Sequence, residues 1–224
     1  MKHTAVLREH VKLAGAKIAD VGCGDGGLVR AMTRAGATVV GIEPGAQQLA
    51  RAMAAEPAGD ETYLCAYGEA LPLPDGGLDG LVFFNSLHHV PVEVQGAALA
   101  EAARVVRSGG WIYVQEPLAE GAFFEMVKPI EDETLVRAKA YDAVKQACSG
   151  ESLAEQEEFV YRAPHRLPSF KAFRDGLVSV DPARRVAVEA REESLRQAFM
   201  AAAEQRDDAF WFEIPSRLNL LQRT

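Results

Sequence analysis

Cysteine is scarce in this chain: Cys23, Cys65 and Cys148 are the whole set. An odd number without C-x-x-C spacing excludes a disulfide framework and a zinc knuckle, and it points to a reducing cytoplasm. Long apolar runs are missing as well. No stretch approaches the roughly 18 residues of a membrane span, and the N-terminus lacks the apolar run of a signal peptide. Clustered basic charge is the third absence. With a formal net charge of -8 and Arg184-Arg185 as an isolated pair reading as a solvated helix start, nothing suits a nucleic-acid backbone. There is no internal repeat and no low-complexity segment. The 224 residues, 48% hydrophobic and 25% charged, suffice for one folded domain with a sizeable core.

What is present is organised around Lys17 to Gly27. Ile18 and Val21 lie in a short apolar run of strand type, Leu28 to Met32 begins a helix, and the glycines between them make a strand-to-helix turn. Gly22 and Gly24 let the backbone enter conformations closed to other residues, and let a ligand approach the main chain near the N–H groups of the helix start. The spacing of Gly22, Gly24 and Gly27 also satisfies the dinucleotide pattern G-x-G-x-x-G. Asp20 separates the two readings. A carboxylate two residues before the first glycine repels a pyrophosphate and attracts an ammonium or sulfonium group.

Asp20-Val21-Gly22-Cys23-Gly24-Asp25-Gly26 resembles the first motif of the class I S-adenosylmethionine-dependent methyltransferases, acid-x-Gly-x-Gly-x-Gly. Further on, Gly68-Glu69-Ala70-Leu71-Pro72 resembles the family's adenine-holding segment, with Tyr67 where the family usually has Asp. Leu87-His88-His89 resembles the segment after the fourth strand in small-molecule enzymes of the ubiquinone-biosynthesis type. The resemblance covers the sheet core from about Lys17 to Glu116, and the rest by element order. It implies S-adenosyl-L-methionine as cofactor, S-adenosyl-L-homocysteine as product, and no metal. Asp20, Gly22, Cys23 and Gly24 would take the methionine end, Glu43 with Pro44 the ribose, and Gln48, Tyr67 and Gly68 the adenine, with Asn85 at the crevice edge.

The residues themselves support several of these roles. Glu43 follows the β-branched run Ala37 to Ile42, where an acid accepts from ribose hydroxyls; as a helix-start acid before Pro44 it would be structural. Next, Ala46, Leu49, Ala50 and Met53 form the apolar face of a helix. Asp79 to Phe84 is a buried strand that delivers Asn85 to Val90 to the ligand edge. His88 and His89, being adjacent, point apart, which disfavours metal binding; one of them is a general-base candidate, and both could simply shape the pocket. Ser108-Gly109-Gly110 reads as the turn ending the following helix. Trp111 to Gln115 is a fifth strand ending at Glu116, a third catalytic candidate or a plain surface acid.

Beyond Glu116 the rhythm of the α/β alternation changes. Glu131 to Cys148 reads as a helix in a long connection, with Phe123, Phe124, Met126 and Tyr141 as candidate acceptor-pocket residues. Glu158 to Ala163 reads as a strand, Ser169 to Leu177 as a short helix, Arg184 to Glu204 as one long helix, and Phe210 to Leu221 as the final strand. The expected architecture is one domain over 1–224. It is a Rossmann-like, doubly wound, seven-stranded, mostly parallel sheet with an antiparallel last strand and a helical insertion after strand five. Residues 1–116 form the cofactor core, and 117–224 form the acceptor-side insertion and final strands. The expected activity is methyl transfer to a small-molecule acceptor. The alternatives are a non-catalytic subunit on the same fold and a nicotinamide-dependent oxidoreductase.

Overall fold

The computed structural model describes residues 1–224, the side chain of Val180 excepted. The chain runs α1 (His3–His10), β1 (Lys17–Val21), α2 (Gly27–Arg34), β2 (Thr38–Ile42), α3 (Ala46–Ala54), β3 (Thr62–Leu64), β4 (Leu78–Phe84), α4 (Gln95–Val105) and β5 (Val106–Pro117). It continues as α5 (Ala122–Val127), α6 (Thr134–Ala147), β6 (Leu153–Leu167), α7 (Phe170–Val180), α8 (Arg185–Ala190), α9 (Glu192–Ala202), β7 (Glu204–Arg206) and β8 (Ala209–Arg223).

The sheet order is β3-β2-β1-β4-β5-β8-β6, with β7 paired to β8. The pairs β1–β2, β1–β4, β2–β3 and β4–β5 are parallel, and the C-terminal strands are antiparallel. This is the doubly wound α/β class expected from the sequence. Strand order reverses between β1 and β4, and that switch point is where such sheets open a ligand crevice.

Two compact units divide the chain. The first comprises His3–Glu116, Val136–Val160 and Arg217–Thr224. Its core packs Val21, Leu81, Phe83, Ile112 and Val114 against Ala98, Leu99 and Ala102 of α4 and Val144 of α6. These strands bury both faces, hence their near-continuous apolar runs. The second unit comprises Met1–Lys2, Pro117–Leu135 and Tyr161–Ser216. It has an aromatic core in which Phe199 of α9 meets Phe170 at 5.5 Å and Phe212 at 5.1 Å between ring centroids, both near edge-to-face.

Several local expectations need correction. In α3, Ala46, Ala50 and Met53 are exposed, Met53 by 67%, while Leu49 is half-buried and Ala52 buried. Alanines spread over every side of this helix carry no phase information, so the face lies about one residue away from the expected one. Ser108-Gly109-Gly110 lies inside β5, since α4 stops at Val105 and the strand pairing resumes at once with a register shift between Leu78 and Gly80. The long helix over 184–204 is divided at Arg191, where Glu192 and Glu193 begin a new helix with acids at its positive end. Arg184 is not a solvated helix start: it lies in a 3-10 turn, is largely buried, and pairs with Glu131. An eighth strand, β7, joins the seven expected because Asp207 adopts φ 51°, the left-handed conformation that a tight hairpin needs. The strand expected over 158–163 is longer, Leu153–Leu167.

Candidate functional site

All thirteen candidate residues fall in the first unit: Gln48 lies in α3, and the other twelve lie at the carboxyl ends of β1 and β5 or in the loops and turns after β1, β2, β3 and β4. Asp20 is in β1, 1% exposed, and its Oδ1 has no hydrogen-bond partner among the described residues. Burial, and secondarily the charge of Glu43, pushes its pKa up to about 7. The loop that follows turns through three left-handed glycines, Gly22, Gly24 and Gly26. At Gly22 a Cβ would stand 2.5 Å from the Cβ of Ser86, whereas at Gly24 nothing lies within 4 Å. Gly22 is thus demanded by both φ and packing, and Gly24 by φ alone, with open space before it. Cys23 is buried in the loop, and burial, then the charges of Asp20 and Glu43, push its thiol pKa up.

Glu43 is oriented by the backbone: its Oε2 accepts from Gly24 N–H at 2.9 Å and its Oε1 from Gly45 N–H at 2.8 Å. A carboxylate offers about four lone-pair positions, so both oxygens keep capacity for a ligand's hydroxyls. Across the switch point, Ser86 Oγ donates to Val21 O at 2.6 Å and ties β4 to β1. Asn85 before it holds φ 52°, its N–H donates to Gln115 O at 2.8 Å, and its Oδ1 has no partner among the described residues. A non-glycine residue in this conformation is costly, and such residues gather at ligand sites.

Glu116 is buried. Its Oε1 accepts from the N–H groups of Ser86 (3.2 Å) and Leu87 (2.9 Å), and its Oε2 pairs with His88 Nδ1. One carboxylate therefore holds the turn over 87–89 and fixes the ring of His88. The two histidine rings do not diverge as adjacency suggested: their centroids are 4.0 Å apart, because a 3-10 turn brings neighbours closer than an extended chain does. His88 is buried and His89 exposed.

The adenine-side candidates are less drawn together. Gly68 packs against Val21: a Cβ added to it would lie 3.2 Å from Val21 Cγ1, so a larger residue would press on the end of β1. Tyr67 is 63% exposed, Pro44 is exposed, and Gln48 is half-buried, accepting from Arg51 at 3.4 Å. Sequence reasoning passed over Ser86, Gln115 and Arg104. Arg104 donates to Leu71 O (3.0 Å), Leu73 O (2.9 Å) and the carboxylates of Glu101 and Asp75, pinning the loop after Gly68. Arg104 carried no local signal, since its partners in that loop lie about 30 residues away.

A doubly wound sheet with a glycine loop at its switch point, an acid before the loop and another after β2 defines the Rossmann-like class of nucleotide-cofactor proteins. Residues 19–114 match the family described as methyltransferase domain. Ubiquinone biosynthesis O-methyltransferase of Pseudomonas entomophila is 38% identical over 111 residues, 48% of this chain and 47% of that protein. An S-adenosylmethionine dependent methyltransferase from Mesorhizobium loti superposes with a TM-score of 0.58 at 19% identity, over 98% of this chain and 96% of that one. The [4+2]-cyclase SpnF superposes with a TM-score of 0.63 at 18% identity, over 98% and 79%. At such identities the structural likeness shows the fold alone. The chain spans less than half the length of the curated relatives it matches.

Proposed function

We propose that the protein is an S-adenosyl-L-methionine-dependent methyltransferase acting on a small molecule and releasing S-adenosyl-L-homocysteine. The observation that carries this reading is Asp20, a sealed carboxyl with an unpartnered oxygen at the head of the glycine loop. Beside Glu43, a pyrophosphate would add repulsion to a site that already holds two acids, while a ligand's ammonium would relieve it. That contrast disfavours a nicotinamide cofactor. Since the fold also carries a protein named as a cyclase, the assignment rests on these residues and not on architecture.

Asp20, Gly22, Cys23 and Gly24 would hold the methionine end, Glu43 and Pro44 the ribose, and Gln48, Tyr67 and Gly68 the adenine, with Asn85 closing the edge. When bound, the cofactor supplies a methyl group on an activated sulfonium. The protein's part is placement, and fixing an acceptor in line can contribute ~7–11 kcal/mol. For a hydroxyl acceptor, His88 takes the proton; Glu116, engaged by three donors, is a positioning residue that fixes the ring. The acidic balance of -8 supports a small acceptor over nucleic acid.

The test is calorimetric titration with S-adenosyl-L-methionine, S-adenosyl-L-homocysteine and NADH, on wild type, Asp20→Ala and Glu43→Ala. Micromolar binding of the first two, lost in both variants, supports the reading. Preference for NADH, or no binding of any of the three, overturns it.

A further inference from the structure

Gln115 is the most anomalous polar group in the first unit. It is 0% exposed, and neither Oε1 nor Nε2 of its amide has a hydrogen-bond partner among the described residues. Burying an amide without partners costs free energy, so such groups are rare and call for a physical cause. Its position supplies one. Parallel neighbours in register share a face, and Asp20↔Val82, Val82↔Tyr113 and Phe84↔Gln115 place Asp20 and Gln115 on the same side of the sheet. Gln115 stands near the carboxyl end of β5, two strands from Asp20 and one pleat further toward the edge where such sheets bind ligands.

The backbone there is fixed, because Gln115 O accepts from Asn85 N–H at 2.8 Å. Its register partner Phe84 is half-buried, with the His3 ring edge-on at 5.1 Å, so a flat apolar wall adjoins the amide.

Resting on the methyltransferase reading above, we infer that Gln115 is the specificity-determining residue for the methyl acceptor. An amide presents one acceptor and one donor side by side. Its complement is a neutral group that both donates and accepts, a hydroxyl or a primary carboxamide, carried on a flat body that lies against Phe84. A carboxylate is a poor fit on the face that carries Asp20 and leaves Oε1 without a donor, and an ammonium leaves the Nε2 donor unsatisfied.

The test uses the full chain with saturating S-adenosyl-L-homocysteine and three ring probes that differ in one substituent: phenol, benzamide and toluene. Binding is followed by ligand-observed NMR titration in wild type, Gln115→Met and Gln115→Leu; the two variants guard against a folding failure in one. The expected result is a preference of about tenfold for phenol or benzamide over toluene in wild type, falling to near unity in the variants while S-adenosyl-L-homocysteine affinity is unchanged. Whichever polar probe wins names the group that is read. Equal binding of the three probes by wild type, or a preference that survives Gln115→Met, overturns the assignment of Gln115 alone. Failure of wild type to bind S-adenosyl-L-homocysteine overturns the methyltransferase reading itself.

Discussion

A carboxyl sealed into the sheet at Asp20 loses its hydration and gains only the repulsion of Glu43, which takes its pKa from an ordinary 3.8 to about 7. The folded state therefore holds the proton more tightly than the unfolded state. The stability this contributes is present below pH 3.8 and lost as pH rises through 7. Asp20→Asn removes that dependence, so the variant should gain on wild type from pH 5 to pH 8, by about 2–3 kcal/mol, in ligand-free denaturant melts. Cofactor affinity should run the other way. An ammonium favours ionised Asp20, so wild-type binding of S-adenosyl-L-methionine weakens up to ~10-fold per unit below pH 7, and Asp20→Asn binds weakly at every pH.

The two loop glycines separate packing from recognition. Gly22→Ala meets both the left-handed φ and the Ser86 Cβ at 2.5 Å. It should cost about 2–5 kcal/mol, read as a lower melting temperature. Gly24→Ala meets the φ penalty alone, about 1–2 kcal/mol, and should remain folded while losing cofactor affinity in calorimetry.

Among the elements, the loop from Leu71 to Asp75 depends on one side chain of α4. Arg104→Leu removes the donors to Leu71 O, Leu73 O, Asp75 and Glu101, and frees Glu101, whose Oε2 accepts from Leu71 N–H at 2.9 Å. Amide exchange at Leu71 should accelerate, and S-adenosyl-L-homocysteine should bind more weakly without loss of the fold; unchanged exchange would refute the clamp. In the second unit, α7 starts at a Ser169 cap whose Oγ accepts from Ala172 N–H at 3.1 Å, so Ser169→Ala should cost about 1 kcal/mol in a denaturant melt. Elements are also where periodicity misled. The strands of the first unit were readable because β-branched runs bury both faces, whereas alanine-rich α3 has apolar residues on every side. The break at Arg191 has no proline or glycine to announce it.

For the whole molecule, the net charge of -8 and the scattered cations predict passage through a heparin column at 0.1 M salt and retention on an anion exchanger. Retention on heparin at that ionic strength would show a basic face and reopen the question of a polyanionic acceptor. No helix among the described residues is long and apolar enough to cross a membrane.

The order of strands and helices up to Glu116, the glycine loop, and the acids at Asp20 and Glu43 were legible in the sequence, because a strand-to-helix turn and a strand-end acid are local patterns of a few residues. Tertiary structure alone decided what those acids face. Glu43 is bound to the loop by Gly24, Glu116 is committed to His88 and the turn before it, and Gln115 is buried without a partner. These relations join residues 19 or more apart in sequence, or depend on burial, and no local pattern encodes either. The sheet sets them by bringing its carboxyl ends together and withdrawing water from them.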